Sequence, residues 1–107
     1  MFAICTSEQL AEGQSRGLHV AGIDLLLVRK QGQCYAYRNH CPHRGVRLEW
    51  QADEFLDSSA SLIQCARHGA LFLIESGECV AGPCSGQNLE PLLIHEADGM
   101  LWLQPAP

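Results

Sequence analysis

Asn39-His40-Cys41-Pro42-His43-Arg44-Gly45 and Cys65-Ala66-Arg67-His68-Gly69 are the two stretches that decide how this chain is read. Each offers one thiol and one imidazole at short spacing, as Cys41-x-His43 and Cys65-x-x-His68. A single tight loop can aim both side chains of such a pair at one metal centre. Pro42, Gly45 and Gly69 suit loops that bend sharply. Two sulfur and two nitrogen ligands fit a transition metal or an iron–sulfur cluster, and fit calcium or magnesium poorly. The same four residues are also a legitimate zinc set, and spacing alone leaves both open.

Working outward, each pair is fed and drained by short apolar runs. Leu25-Leu26-Leu27-Val28, inside 23–29, reads as a buried strand, with a turn at 30–33 and a returning strand at 34–37 that delivers the chain to Cys41. The polar, acidic stretch 49–61 predicts an exposed loop. Leu62-Ile63-Gln64 enters the second pair and 70–74 leaves it, turning at 75–78 and returning through Cys79-Val80. Residues 82–86 read as a loop. Pro91-Leu92-Leu93-Ile94-His95 and Met100-Leu101-Trp102-Leu103 read as a hairpin, because Asp98-Gly99 between them is a strong turn signal. At the start, 2–5 reads as a strand and 7–13 as a helical turn capped by Ser7. Many short strands with close turns predict an all-β fold, an antiparallel β-sandwich or small barrel. The expectation is a single domain over 1–107, with the metal-binding part at about 38–84.

Composition narrows the function. The chain has 107 residues and a net charge of −5, which excludes generic nucleic-acid binding. Of its seven basic residues, Arg38, Arg44, Arg47 and Arg67 flank the two motifs, as a cationic rim for an acidic partner or as ordinary surface scatter. No apolar run approaches a membrane span and no signal peptide is visible, so the expected location is cytoplasmic. Six cysteines in a chain this short can mean a disulfide scaffold. With two committed to the motif, Cys5, Cys34, Cys79 and Cys84 read instead as buried thiols. His40, beside Cys41, reads as a surface residue, because adjacent ligands strain the geometry, and His19 and His95 read as ordinary. Trp50 and Trp102 read as packing residues first. No catalytic triad or nucleotide-binding glycine motif stands out, and a hairpin protein this short has little room for a substrate pocket beside a metal centre.

Cys-x-His, a spacer and Cys-x-x-His, with the Cys-Pro-His-Arg-Gly form and the later Gly82-Pro83, resemble the Rieske-type iron–sulfur proteins, in particular the small stand-alone Rieske ferredoxins. The resemblance runs from about Leu25 to Leu103. It implies the Rieske iron–sulfur fold, with a cluster-binding subdomain of two hairpin loops, and one [2Fe–2S] cluster. By the resemblance, Cys41 and Cys65 hold one iron and His43 and His68 the other. The oxidised centre is then neutral, where four thiolates would leave it doubly negative, so the potential rises; such centres span about −150 to +300 mV. High-potential members carry a further disulfide and hydroxyl donors, at positions that here look like Val46 and Arg67, and Ala70 and Phe72. None of these can play that part, which implies the lower end of the range. The 44–64 spacer is longer than the family's commonest form.

The implied role is a one-electron carrier rather than an enzyme, passing electrons from a flavin-dependent NAD(P)H reductase to a terminal oxygenase of the ring-hydroxylating dioxygenase type. The alternatives are the small subunit of an NADH-dependent nitrite reductase and a zinc-stabilised interaction module.

Overall fold

The computed structural model describes residues 1–40, 48, 53–65, 69–82 and 86–104. Among these lie nine strands: β1 (Phe2–Thr6), β2 (Ser15–Val20), β3 (Ile23–Lys30), β4 (Gln33–Arg38), β5 (Leu62–Gln64), β6 (Leu71–Leu73), β7 (Cys79–Ala81), β8 (Ile94–Ala97) and β9 (Met100–Leu103). They form three antiparallel three-stranded sheets, ordered β1-β9-β8, β2-β3-β4 and β5-β6-β7. The fold is all-β, as the sequence implied.

Sheet β2-β3-β4 is the middle layer. Successive side chains of a strand point to opposite faces. Leu25 and Leu27 of β3 therefore enter one core, with Cys5, Leu10, Ala36, Leu101 and Leu103. Leu26 and Val28 enter the other, with Tyr37, Leu48, Phe55, Ile63, Cys65, Ala70, Phe72 and Leu89. All four β3 residues are fully buried. This is why the run is continuously apolar: both faces of the strand are covered, and each leucine contributes about 1.5–3 kcal/mol by leaving water. Arg29, next along β3, ties the middle sheet to β8. Its guanidinium donates to both carboxylate oxygens of Glu96, at 2.8 and 3.0 Å, and to the Leu10 carbonyl at 3.1 Å.

Three hairpins share one turn chemistry. Ala21-Gly22, Gln31-Gly32 and Asp98-Gly99 all have positive φ at both residues. They close two-residue loops between Val20 and Ile23, Lys30 and Gln33, and Ala97 and Met100. Such turns match the twist of the strands they join, and glycine at the second place avoids the Cβ penalty.

The structure differs from the sequence expectations in four places. β2 is a strand the apolar pattern does not announce, since none of its residues is fully buried. The helical turn spans only Ser7–Gln9, with Thr6 rather than Ser7 at the cap, where the Thr6 N–H donates to Gln9 Oε1 at 2.9 Å. The expected exposed loop 49–61 contains Phe55, which is fully buried, and Leu56, which bridges to Ile63. Ser15 Oγ accepts the Phe55 N–H at 3.1 Å, which pins that segment to the edge of β2. Finally, β8 starts at Ile94 rather than Pro91. Pro91 bridges to Tyr37, and the Leu92 N–H donates to the Ala36 carbonyl at 3.0 Å, so this stretch joins β4 instead.

Candidate metal centre

β4 carries the chain towards the first motif. The His40 N–H donates to the Arg38 carbonyl at 2.9 Å, bending the chain out of the sheet, and the Asn39 N–H donates to the Asp24 carbonyl of β3 at 2.8 Å. Asn39 is buried, and its Oδ1 accepts the Leu48 N–H at 2.9 Å. The two ends of segment 40–47, which holds Cys41 and His43, are thus joined at their base. His40 is exposed, as expected of a surface residue.

β5 delivers the second motif. Cys65, at its end, is fully buried among Leu26, Ile63, Ala70 and Phe72. Its N–H donates to the Ala70 carbonyl at 2.8 Å, and its carbonyl accepts the Gly69 N–H at 2.9 Å. These two backbone bonds join the ends of the loop between Cys65 and Ala70. Gly69 completes it at φ +70°, in the left-handed region that favours glycine.

A third segment lies against this loop. A Cβ on Gly82 would fall 2.8 Å from the Ala70 Cα and 3.2 Å from both the Ala70 nitrogen and the Gly69 oxygen. Only a glycine lets the chain after β7 pass so close to the backbone of the second loop. Tyr37 locks the middle sheet to the same unit, since its hydroxyl donates to the Ile74 carbonyl at 2.6 Å. Burial pushes that phenol up to about 12, so it stays a donor across the physiological range.

Of the four ligand candidates, Cys65 stands among the described residues, and Cys41, His43 and His68 lie outside them. Arg44, Val46, Arg47, Trp50, Arg67, Pro83 and Cys84 lie outside them too. Arg38, the fourth member of the expected cationic rim, pairs with Glu90 at 3.2 Å. His95 is exposed, and His19, also exposed, pairs with Asp24 at 2.7 Å. Trp102 is half-buried. Cys5 and Cys79 are buried thiols, as expected, whereas Cys34 is half-buried and lines an open cavity of about 490 Å³ with His95 and Glu96. A second groove, of about 440 Å³, is lined by Phe2, Ile23, Leu92, Leu93 and Leu103, so the chain has more open volume than its length suggested. Asn39 is the residue sequence reasoning missed, because one buried amide beside a motif leaves no periodic signal.

The donor set fits a cluster better than a hard cation. A thiol sheltered from water, beside a loop that ends in the conformationally permissive Gly69, suits a soft metal and inorganic sulfide rather than a hard, oxygen-seeking cation.

Comparison with known proteins agrees. The model of the Rieske [2Fe-2S] domain matches residues 1–97, and the chain belongs to that family. It is 35% identical over 83 residues to the cholesterol 7-desaturase of Caenorhabditis elegans, covering 77% of this chain and 19% of that protein. It is 30% identical over 82 residues to the ferredoxin component of the naphthalene 1,2-dioxygenase system of Pseudomonas aeruginosa, covering 77% of this chain and 73% of that one. Among solved structures, the ferredoxin of carbazole 1,9a-dioxygenase from Nocardioides aromaticivorans IC177 shares the fold. Its TM-score is 0.80 at 22% identity, with 97% of this chain and 96% of that chain covered. The chain spans less than a third of the first curated relatives it matches, from 12% to 28% of their length. The cofactor of this domain is therefore a Rieske [2Fe–2S] cluster, and the zinc reading gives way. Among the described residues, no helix is long and apolar enough to cross a membrane.

Proposed function

We propose that this domain is a one-electron carrier whose cluster is held by Cys41, His43, Cys65 and His68, within a cluster-binding part at about 38–84. The cluster, when bound, supplies a reversible one-electron couple. Cys41 and Cys65 would hold it through Sγ, and His43 and His68 through ring nitrogens. The protein's own contribution is positional. The Cys65–Ala70 turn and the Asn39–Leu48 bond hold the two ligand loops, and the Gly82 segment lies against the second of them. The partners are a flavin-dependent NAD(P)H reductase on one side and a terminal oxygenase on the other, with no role for nucleic acid. A cytoplasmic setting suits all three.

The observation that carries this reading is the buried Cys65 at a loop closed by two backbone bonds, in a chain whose likeness covers most of a dioxygenase-system ferredoxin. Ala70 and Phe72 bring no hydroxyl to the site and are both fully buried, which supports a potential in the lower part of the Rieske range. The likeness to the longer desaturase supports a second reading, in which the same domain feeds electrons to a catalytic partner within one larger assembly.

The test is to purify the protein anaerobically, assay iron and acid-labile sulfide, and measure electron flow from a flavoprotein reductase to a terminal oxygenase. Iron and sulfide in equal amounts, lost in Cys65→Ser and His68→Ala, with reductase-dependent reduction of the oxygenase, is the expected result. Labile sulfide unaffected by either substitution would overturn the ligand assignment. A loaded protein that no reductase reduces would overturn the carrier role.

A further inference from the structure

The two ligand loops are closed in different ways. At the second, two backbone bonds join the ends, Cys65 N–H to the Ala70 carbonyl and Gly69 N–H to the Cys65 carbonyl. At the base of the first, a side chain makes the bond. Asn39 Oδ1 accepts the Leu48 N–H at 2.9 Å, with both residues buried. The backbone of Asn39 is itself anchored to β3 through the Asp24 carbonyl.

We propose that Asn39 is the positioning residue of the first ligand loop. Its side-chain oxygen fixes where segment 40–47 leaves and rejoins the core, and so fixes how Cys41 and His43 meet the cluster. This rests on the reading of those two residues as ligands. Three features of the site support it. The acceptor lies two residues before Cys41, so a displacement there is passed on with little chain to absorb it. Leu48, the donor, is packed in the same core as Cys65, so the bond refers the first loop to the core that seats the second. A buried N–H without an acceptor is costly, so the loop end has no equally good alternative position once the amide oxygen is removed.

Aspartate keeps an oxygen where Asn39 Oδ1 stands, and leucine keeps the shape without it. The holoprotein, Asn39→Leu and Asn39→Asp are therefore compared by the rate at which an iron chelator bleaches the visible absorbance, and by the electron paramagnetic resonance of the reduced form. Asn39→Leu is expected to bleach roughly tenfold faster, with shifted g-values, since losing the acceptor of a buried donor changes a local opening equilibrium by about that factor. Asn39→Asp keeps the acceptor oxygen but loses the amide donors and buries a carboxylate, so it is expected to bleach at a rate between those of the parent and Asn39→Leu. Leucine behaving as the parent, or aspartate failing as leucine does, overturns the proposal. Should Asn39→Leu not fold, the Leu48 amide of the parent protein decides: slow hydrogen exchange, with Asn39→Asp retaining the cluster, supports the clamp, and rapid exchange refutes it. A parent protein without labile sulfide would instead refute the ligand reading.

Discussion

Replacing Gly82 by alanine tests whether close approach at the Cys65–Ala70 loop is a requirement of the fold. Two costs add. Gly82 sits at φ +91°, where an L-residue is strained by about 1–2 kcal/mol. The new Cβ would also sit 2.8 Å from the Ala70 Cα, a backbone atom that cannot swing aside. Overpacking of that kind costs about 1–3 kcal/mol. Gly86 provides the control. Its φ is +88°, nearly the same, and a Cβ there meets nothing within 4 Å. Gly86→Ala therefore pays the backbone strain alone, and the difference between the two variants isolates the contact. Gly82→Ala should be the less stable by about 1–3 kcal/mol in urea denaturation followed by circular dichroism. Because the contact is with the loop that ends in Ala70, it should also lose its visible absorbance to a chelator faster than Gly86→Ala. Equal stabilities and equal bleaching rates would refute the argument that Gly82 is needed for clearance.

Tyr37→Phe leaves the Ile74 carbonyl without the hydroxyl that reaches it at 2.6 Å, and should cost about 1–3 kcal/mol in the same urea assay. The Arg29 guanidinium holds the Glu96 carboxyl down at about 2, from an ordinary 4.5. A depressed carboxylate contributes stability above its unfolded value and loses it as pH falls through the folded one. The stability gap between the parent and Glu96→Gln should therefore be full above about pH 4.5 and close towards pH 2, as urea midpoints across that window will show. Burial pushes the Cys34 thiol up to about 12, from 9.0. Its thiolate is then scarcer by roughly a thousandfold, partly offset by greater nucleophilicity, so alkylation at pH 8 should run on the order of 30-fold slower than in the urea-unfolded chain. Peptide mass spectrometry reads the rate; equal rates would refute the shift. Leu26→Ala and Leu27→Ala should each destabilise by about 2–5 kcal/mol. Leu26 shares a core with Cys65 and Leu27 does not, so Leu26→Ala should hasten chelator bleaching more at matched stability.

The parts legible in the sequence were those that leave a chemical or periodic mark. Cysteine and histidine at fixed short spacing point to a soft metal centre, and the Cys-Pro-His-Arg-Gly form with the later Gly82-Pro83, rather than the spacing, turns the reading from zinc to a cluster. Leu25 to Val28 announces a strand because both of its faces are covered. Asp98-Gly99 announces a turn because the backbone there needs positive φ. β2 left no mark because it lies at the edge of its sheet and buries no residue fully, although Ala21-Gly22 after it carries the same turn chemistry. Phe55 was hidden for the opposite reason: one aromatic anchors a segment whose neighbours are polar, so the average reads as solvent-exposed. Proline at position 91 cannot donate to a ladder, which explains why the apolar run there joins its neighbours through single bonds rather than as a full strand.

The middle sheet explains why these separate signals describe one machine. Alternate residues of β4 point to opposite sides, so Ala36 packs with the β1-β9-β8 sheet while Tyr37 packs with β5-β6-β7. Asn39 continues the Tyr37 side beyond the strand end, and reaches Leu48 in that same core. Tyr37 of β4 and Asn39 just past its end thus hold both motif-bearing units, Tyr37 through the Ile74 carbonyl and Asn39 through the Leu48 amide. On the opposite face, Arg29 binds the remaining sheet through Glu96. A centre that changes charge by one electron is best served when its ligands move little between the two states. Under the proposed ligand assignment, fastening the end of the first loop at Leu48, and the sheet that carries the second at Ile74, to a strand pair covered on its two faces supplies that rigidity from the part of the chain with the least freedom to shift.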